Sequence, residues 1–359
     1  LKNYILIIIG CSLLAYGCQT ANSLHTDSGV ADSVAVVEPI YVTEPVQHDS
    51  DDPAVWINPA DPSQSLILGT DKDQDGALYV FNLEGKIQPE KVVRGLQRPN
   101  NVDVEYGLML GGRPTDIAVV TERYTHKLRI FSLPDMKPID QGGIEVFEGQ
   151  TGKEERDLMG IGLYRSKAGQ IYAIVGRKTG PTDGTYLWQY LLEDNGSGQI
   201  KATLVRKFGA YSGLKEIESI AVDDELGYVY YSDEGKGVRK YFADPDKGNK
   251  ELALFATTGF AADHEGISIY QTSPTTGYIL VSDQQHNQFH IFRREGEAGA
   301  PHQHTELKVV RVRAAESDGS EVVSLPLDRL FQKGLFVVMS NDRTFHLYRW
   351  EDIAGTELQ

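Results

Sequence analysis

A chain of 359 residues with 51 acidic against 35 basic side chains carries a formal charge of −16. That balance excludes a nucleic-acid binder, which needs a basic footprint, but not a binder of small anions, because bound metal reverses the local field. The 36 glycines suit many short strands joined by tight turns, and with both cysteines, Cys11 and Cys18, near the N-terminus the body has neither a disulfide nor a thiolate metal site.

The first segment reads as an export leader. Lys2 precedes an apolar run over residues 4–14, and Leu14-Ala15-Tyr16-Gly17-Cys18 follows as a lipoprotein-type processing site. Tyr16 is bulkier than such sites prefer, and Leu14 falls one position early. The rival Ile8-Ile9-Gly10-Cys11 leaves too short an apolar core. Residues 1–18 are therefore expected to be a signal peptide of the lipoprotein type, and residues 19–37, small and polar, a flexible tether. The apolar run is too short for a permanent transmembrane span. Membrane contact is expected only through a lipid anchor at the outer membrane or cell surface, with periplasmic or secreted protein as the alternative.

Residues 38–359 are expected to form one domain. Residues 38–46 are β-prone. After them Gln47-His48-Asp49-Ser50-Asp51-Asp52-Pro53 packs three carboxylates into four positions ahead of an apolar strand. Such crowding is costly through like-charge repulsion unless a hard cation neutralises it. From there one theme recurs: a short apolar strand, a longer strand ending in a polar residue, then an aromatic-rich strand. The copies fall at 53–57, 65–71 and 76–81; at 101–104, 116–120 and 127–131; and at 160–164, 171–175 and 186–191. The remaining three fall at 219–222, 228–232 and 237–242; at 266–270, 278–282 and 289–292; and at 321–325, 334–339 and 344–350. A repeat of roughly 40–60 residues without long helical patterns is the signature of small antiparallel sheets arranged radially. The spacing predicts an all-β fold, a six-bladed β-propeller with four-stranded antiparallel blades around a central channel. Residues 38–46 are predicted to lend a strand to the last blade. Two packed β-sandwiches would explain the strands but not their sixfold recurrence. A closed ring leaves no sheet edge that demands a partner, which favours a monomer.

Acids cluster where the inner strands begin or end: Asp51 and Asp52, Asn101 and Asp103, Glu216 and Glu218, Asp233 and Glu234, Asp263 and Glu265, Asp318 and Glu321. Alternating pairs such as Asn101-Val102-Asp103 and Asp263-His264-Glu265 put both oxygens on one face of a regular strand. Converging pairs make a cage suited to Ca²⁺, which takes six to eight oxygens. The histidines show no zinc-ligand spacing. Any single acid pair is more often a solvated turn; recurrence at equivalent blade positions is what favours a site. Cations recur too: Lys72, Arg123, and Arg177 with Lys178 stand at the same point of three successive copies. Singly they would be read as salt-bridge partners, but in register they suit a substrate bearing several phosphates.

The ordered set Asp51-Asp52-Pro53-Ala54-Val55-Trp56, Gly69-Thr70-Asp71-Lys72, Asn100-Asn101-Val102-Asp103, Val222-Asp223-Asp224-Glu225, Asp263-His264-Glu265-Gly266 and Ser282-Asp283-Gln284 resembles the β-propeller phytases, over about residues 42–350. The resemblance implies a propeller that uses several Ca²⁺ ions to hydrolyse phosphate from phytate or related polyphosphorylated substrates. It places calcium and active-site acids on Asp51, Asp52, Asp103, Glu218, Glu234, Asp263 and Glu265. It places phosphate-binding groups on Lys72, Arg123 and Lys178, and a site glutamine on Gln284. Asn101, Asp233 and Asp318 join the expected ligands by position, and Arg177 joins the substrate contacts. Lys72, Arg123, Glu218, Glu234 and Glu265 are the expected catalytic groups, one of the glutamates being the general base. The chain departs from the family pattern at Met159, at Gly176-Arg177-Lys178-Thr179-Gly180 and at Ser317-Asp318-Gly319-Ser320-Glu321, all on the substrate side. The competing readings are a calcium-dependent lactonase or ester hydrolase on another six-bladed propeller, and a surface-binding propeller without chemistry. The aligned cations count against both.

Overall fold

The computed structural model describes residues 35–358, so the expected leader, its processing cysteine and residues 19–34 of the expected tether lie outside the described residues. Six sheets follow one another along the chain. The first is built from Ser50–Trp56, Leu66–Asp71, Gly76–Phe81 and Val93–Leu96. Each later blade repeats this antiparallel meander, starting at Pro99–Leu110, Leu158–Arg165, Ile220–Asp223, His264–Gln271 and Ser320–Val323. These first strands adjoin one another in a ring, the sixth returning to the first, and line the central channel.

The reason for the ring lies in the second strands. Leu66–Asp71, Ile171–Arg177 and Leu335–Ser340 are buried at every position. A strand apolar on both faces needs cover on both, and neighbouring blades supply it. Six separate apolar cores result, each lying between two adjacent blades. The core between blades one and six, including Ile67, Phe81, Phe331 and Phe345, seals the circle.

Tyr41–Val42 pairs antiparallel with Thr344–Arg349 as the outermost strand of blade six, so the β-prone segment after residue 38 does join the last blade. Val36–Val37 pairs in parallel with Glu306–Val312 of blade five. Those two residues, expected in the tether, are therefore built into the fold. One short helix, Trp350–Ala354, follows the last strand.

Candidate active site

The second strands end at Asp71, Glu122, Arg177, Asp233 and Asp283 in blades one to five. Each terminal residue braces the loop that leads into its own blade's first strand. Asp71 accepts from the amides of His48 and Asp49, Glu122 from Gln97, Asp233 from Ser212 and Asp283 from Ala261, while Arg177 donates to the Glu155 carbonyl. The residue immediately after each strand is then Lys72, Arg123, Lys178, Glu234 or Gln284. Five equivalent positions thus present site side chains on one face.

Strand alternation corrects two expectations. Arg177 shares a face with Ile171, Ala173 and Val175, so it points into the core between blades two and three. Its guanidinium stacks 4.6 Å from the Phe147 ring centre and bonds Gln150; it is not a substrate contact. Asp233 shares a face with Val229 and Tyr231 and is held by Ser212 and Arg239, leaving Glu234 as the site acid.

The first strands of blades one, two, three and five are not regular. Register shifts put Asp51 and Asp52 opposite Thr70, Asn100 and Asn101 opposite Thr121, and Glu265 and Gly266 opposite Ser282. Such bulges re-aim side chains. The hydroxyl opposite the bulge takes over its unpaired amide and reaches the next blade. Thr70 Oγ1 accepts from Asp52 N and donates to Asn100 O, and Thr121 Oγ1 accepts from Asn101 N and donates to Met159 O. The alternating pairs therefore do not form two-oxygen cages. Asp103 turns into the channel and accepts from Leu163 N, and Asp263 sits outside its strand, paired with Lys215 and Gln285.

What converges instead is a trio. Carboxylate oxygens of Glu218, Glu234 and Glu265 lie within 4.8 Å of one another. Burial, with the charges of Glu218, Glu216 and Asp263, pushes Glu234 up to about 9. Glu265 is driven well above the carboxylate range by burial and its acidic neighbours. Glu218 is raised less: burial is opposed by the charges of Lys72 and Arg123. Asn100, absent from the expected set, donates 2.7 Å to Glu218 Oε1; the bulge, which no local pattern announces, turns it there in place of Asn101.

Lys72 ties this trio to a second group. Its Nζ lies 2.6 Å from Asp51 Oδ1, an ion pair without hydrogen-bond alignment, and 2.9 Å from Asp318 Oδ2, while Gln284 donates 2.5 Å to Asp318 Oδ1. Burial works to lower the Lys72 pKa, but Asp51, Asp318 and Glu218 raise it on balance. Arg123 is buried, its Nε donating to Leu158 O and its tip touching the Met159 sulfur. Lys178 donates 2.7 Å to Glu216.

A separate acidic lining runs down the channel, where a cavity of about 390 Å³ holds Asp52, Asp103, Glu105, Asp224 and Glu321. Asp52 accepts from Val102 N. Burial above all raises Asp103 to about 7, Glu321 to about 8 and Glu105 to about 9.

The donor set fits a hard cation. Glu234 Oε1, Glu265 Oε2 and both Asp51 oxygens are buried without a hydrogen-bond partner, and Lys72 with Arg123 cannot balance Asp51, Asp318, Glu218, Glu234 and Glu265. All the donors are oxygens, as Ca²⁺ prefers and zinc does not.

A family-level sequence model described as Phytase matches residues 2–354. The chain belongs to the phytase family. A 3-phytase of Bacillus subtilis (strain 168) is 28% identical to this phytase over 324 residues, spanning 85% of this chain and 80% of that relative. Among solved structures the Dos1 propeller matches over 84% of this chain and 67% of its own at 10% identity, with a TM-score of 0.42.

Proposed function

We propose that this phytase releases phosphate from phytate, or a closely related polyphosphorylated polyol, and does so with calcium held by the carboxylates around Lys72. The supporting observation is the set of buried oxygens on Asp51, Glu234 and Glu265 that lack hydrogen-bond partners, with Lys72 ion-paired to Asp51 and Asp318 beside them. Calcium would be held by Glu218, Glu234, Glu265, Asp51 and Asp318. When bound it supplies positive charge that offsets these acids and the substrate's phosphates and stabilises charge on the transferring phosphoryl group.

The chain's own residues supply the rest. Lys72 is a compact charge on a flexible stem, suited to gripping a phosphate oxygen. Arg123 contributes its field from a fixed place under Met159 and holds the bulge of blade three through Leu158 O. Glu218 is the best candidate general base. Among the trio it alone has two cations, Lys72 and Arg123, opposing the upward push of its burial, whereas Glu234 and Glu265 are raised further by their acidic neighbours. The Asn100 amide fixes one Glu218 oxygen and leaves the other to accept a proton from an attacking water.

Inorganic phosphate release from phytate by the purified chain tests the proposal. Release is expected with calcium, loss on chelation and recovery when calcium is restored. Activity persisting through complete chelation refutes the role given to calcium.

A further inference from the structure

A loop joins blade four's last strand, Ala253–Phe255, to blade five's first, His264–Gln271. Residues 257–262 of that loop are exposed except for Phe260, which packs on the core between the two blades. Its ring is sandwiched between two imidazoles, 4.1 Å from the centre of His264 and 4.0 Å from that of His290, with planes 29° and 23° from parallel. We propose that Phe260 is a positioning residue for Glu265: by clamping His264 it fixes the strand entry that aims the Glu265 carboxylate at the trio, and so sets the protein's affinity for calcium. This rests on the role given to calcium above.

Glu265 needs support from its backbone, because its Oε2 is buried without a hydrogen-bond partner to steer it. That backbone lies in a bulge. The ladder pairs His264 with Asp283 and Ile267 with Val281, and slips between them. Beyond the slip, Ile267 N donates 2.8 Å to Ser219 Oγ, next to blade four's first strand. Before it, the fixed point is His264, whose Nε2 donates 2.6 Å to Ala256 O at the start of the loop and whose ring lies against Phe260. The opposite face of Phe260 rests on a ring that is itself anchored, since His290 Nδ1 donates 2.6 Å to Glu306. The three-ring stack thus ties the loop to two strands of blade five. Acids held ready for a cation spare it the cost of ordering them. Without the stack, repulsion from Glu218 and Glu234 would push Glu265 outward in the metal-free protein, and calcium would have to draw it back.

The test titrates wild type, Phe260→Ala, Phe260→Leu and Phe260→Tyr with calcium by calorimetry, at a temperature where they stay folded, and follows amide hydrogen exchange over residues 257–263. Phe260→Ala is expected to weaken calcium binding roughly tenfold, as the loss of two ring contacts implies, and to speed exchange in the loop. Phe260→Tyr keeps both stacking faces and should bind within about twofold of wild type. Phe260→Leu, apolar but not flat, serves where the alanine variant fails to fold and should show a smaller loss of the same sign. Calcium affinity within about twofold of wild type in the alanine and leucine variants, even with a lower melting temperature, overturns the proposal, because the stack then serves stability alone. A loss in Phe260→Tyr as large as in Phe260→Ala overturns it as well. Wild type that binds calcium but frees no phosphate from phytate overturns the proposed function and leaves this inference standing; wild type that binds no calcium overturns both.

Discussion

At the scale of single residues the site is a contest between burial and charge, and Lys72 decides it. It neutralises Asp51 and Asp318 directly and opposes the raised pKa of Glu218. Lys72→Ala is expected to lower phosphate release at least tenfold, since hydrogen bonds to charged groups are among the stronger ones. It should also lower the calcium concentration needed for half-maximal activity, because the acids left without the ammonium attract a cation more strongly. A variant with normal turnover and normal calcium demand would show that Lys72 only props the loop. Much of this site was legible in the sequence, since its acids and cations recur at one topological point. Arg177 and Asp233 went astray because their strands were read as ending too early. Counting in twos from Ile171 or Val229 places both side chains in the interblade layer.

At the scale of elements the bulges matter more than the strands. Sixfold recurrence was legible because doubly covered strands must be apolar along their length. Bulges were not, because a skipped residue leaves the composition of a strand unchanged, and their supports come from other blades. Thr121 is one such support, fully buried, serving Asn101 N on its own blade and Met159 O on the next. Thr121→Val keeps the shape and removes both bonds. It is expected to cost about 1–3 kcal/mol of stability, the range for buried polar groups left unsatisfied. Activity should fall further than folding does, since Asn100 beside Asn101 holds Glu218. Thermal melts set beside activity at a temperature where the variant stays folded check both; no change in either would remove the bridge from the account.

At the scale of the whole molecule, the first strands of every blade but the third bring acids to one axis. Glu234 and Glu105 are held up to about 9, Glu321 to about 8 and Asp103 to about 7, against ordinary values of 4.5 for Glu and 3.8 for Asp. Folded groups that bind protons more tightly than unfolded ones add stability below their ordinary pKa, and that contribution is lost as pH rises through the folded values. The chelated protein is therefore expected to melt at progressively lower temperature between about pH 5 and pH 9. Added calcium, by favouring the ionised acids, should flatten the slope. Parallel slopes with and without calcium would mean that the cation binds elsewhere.

Ring closure joins Tyr41 to Leu347, partners about three hundred residues apart along the chain. The clasp cannot fasten until nearly all of the polypeptide has emerged, so its first strand must wait, unmatched, while five blades stack. Pairings this remote slow folding through loop-closure entropy. A chain truncated before residue 344 would leave the waiting strand with nothing to fasten to, and the third strand of blade six missing beside it.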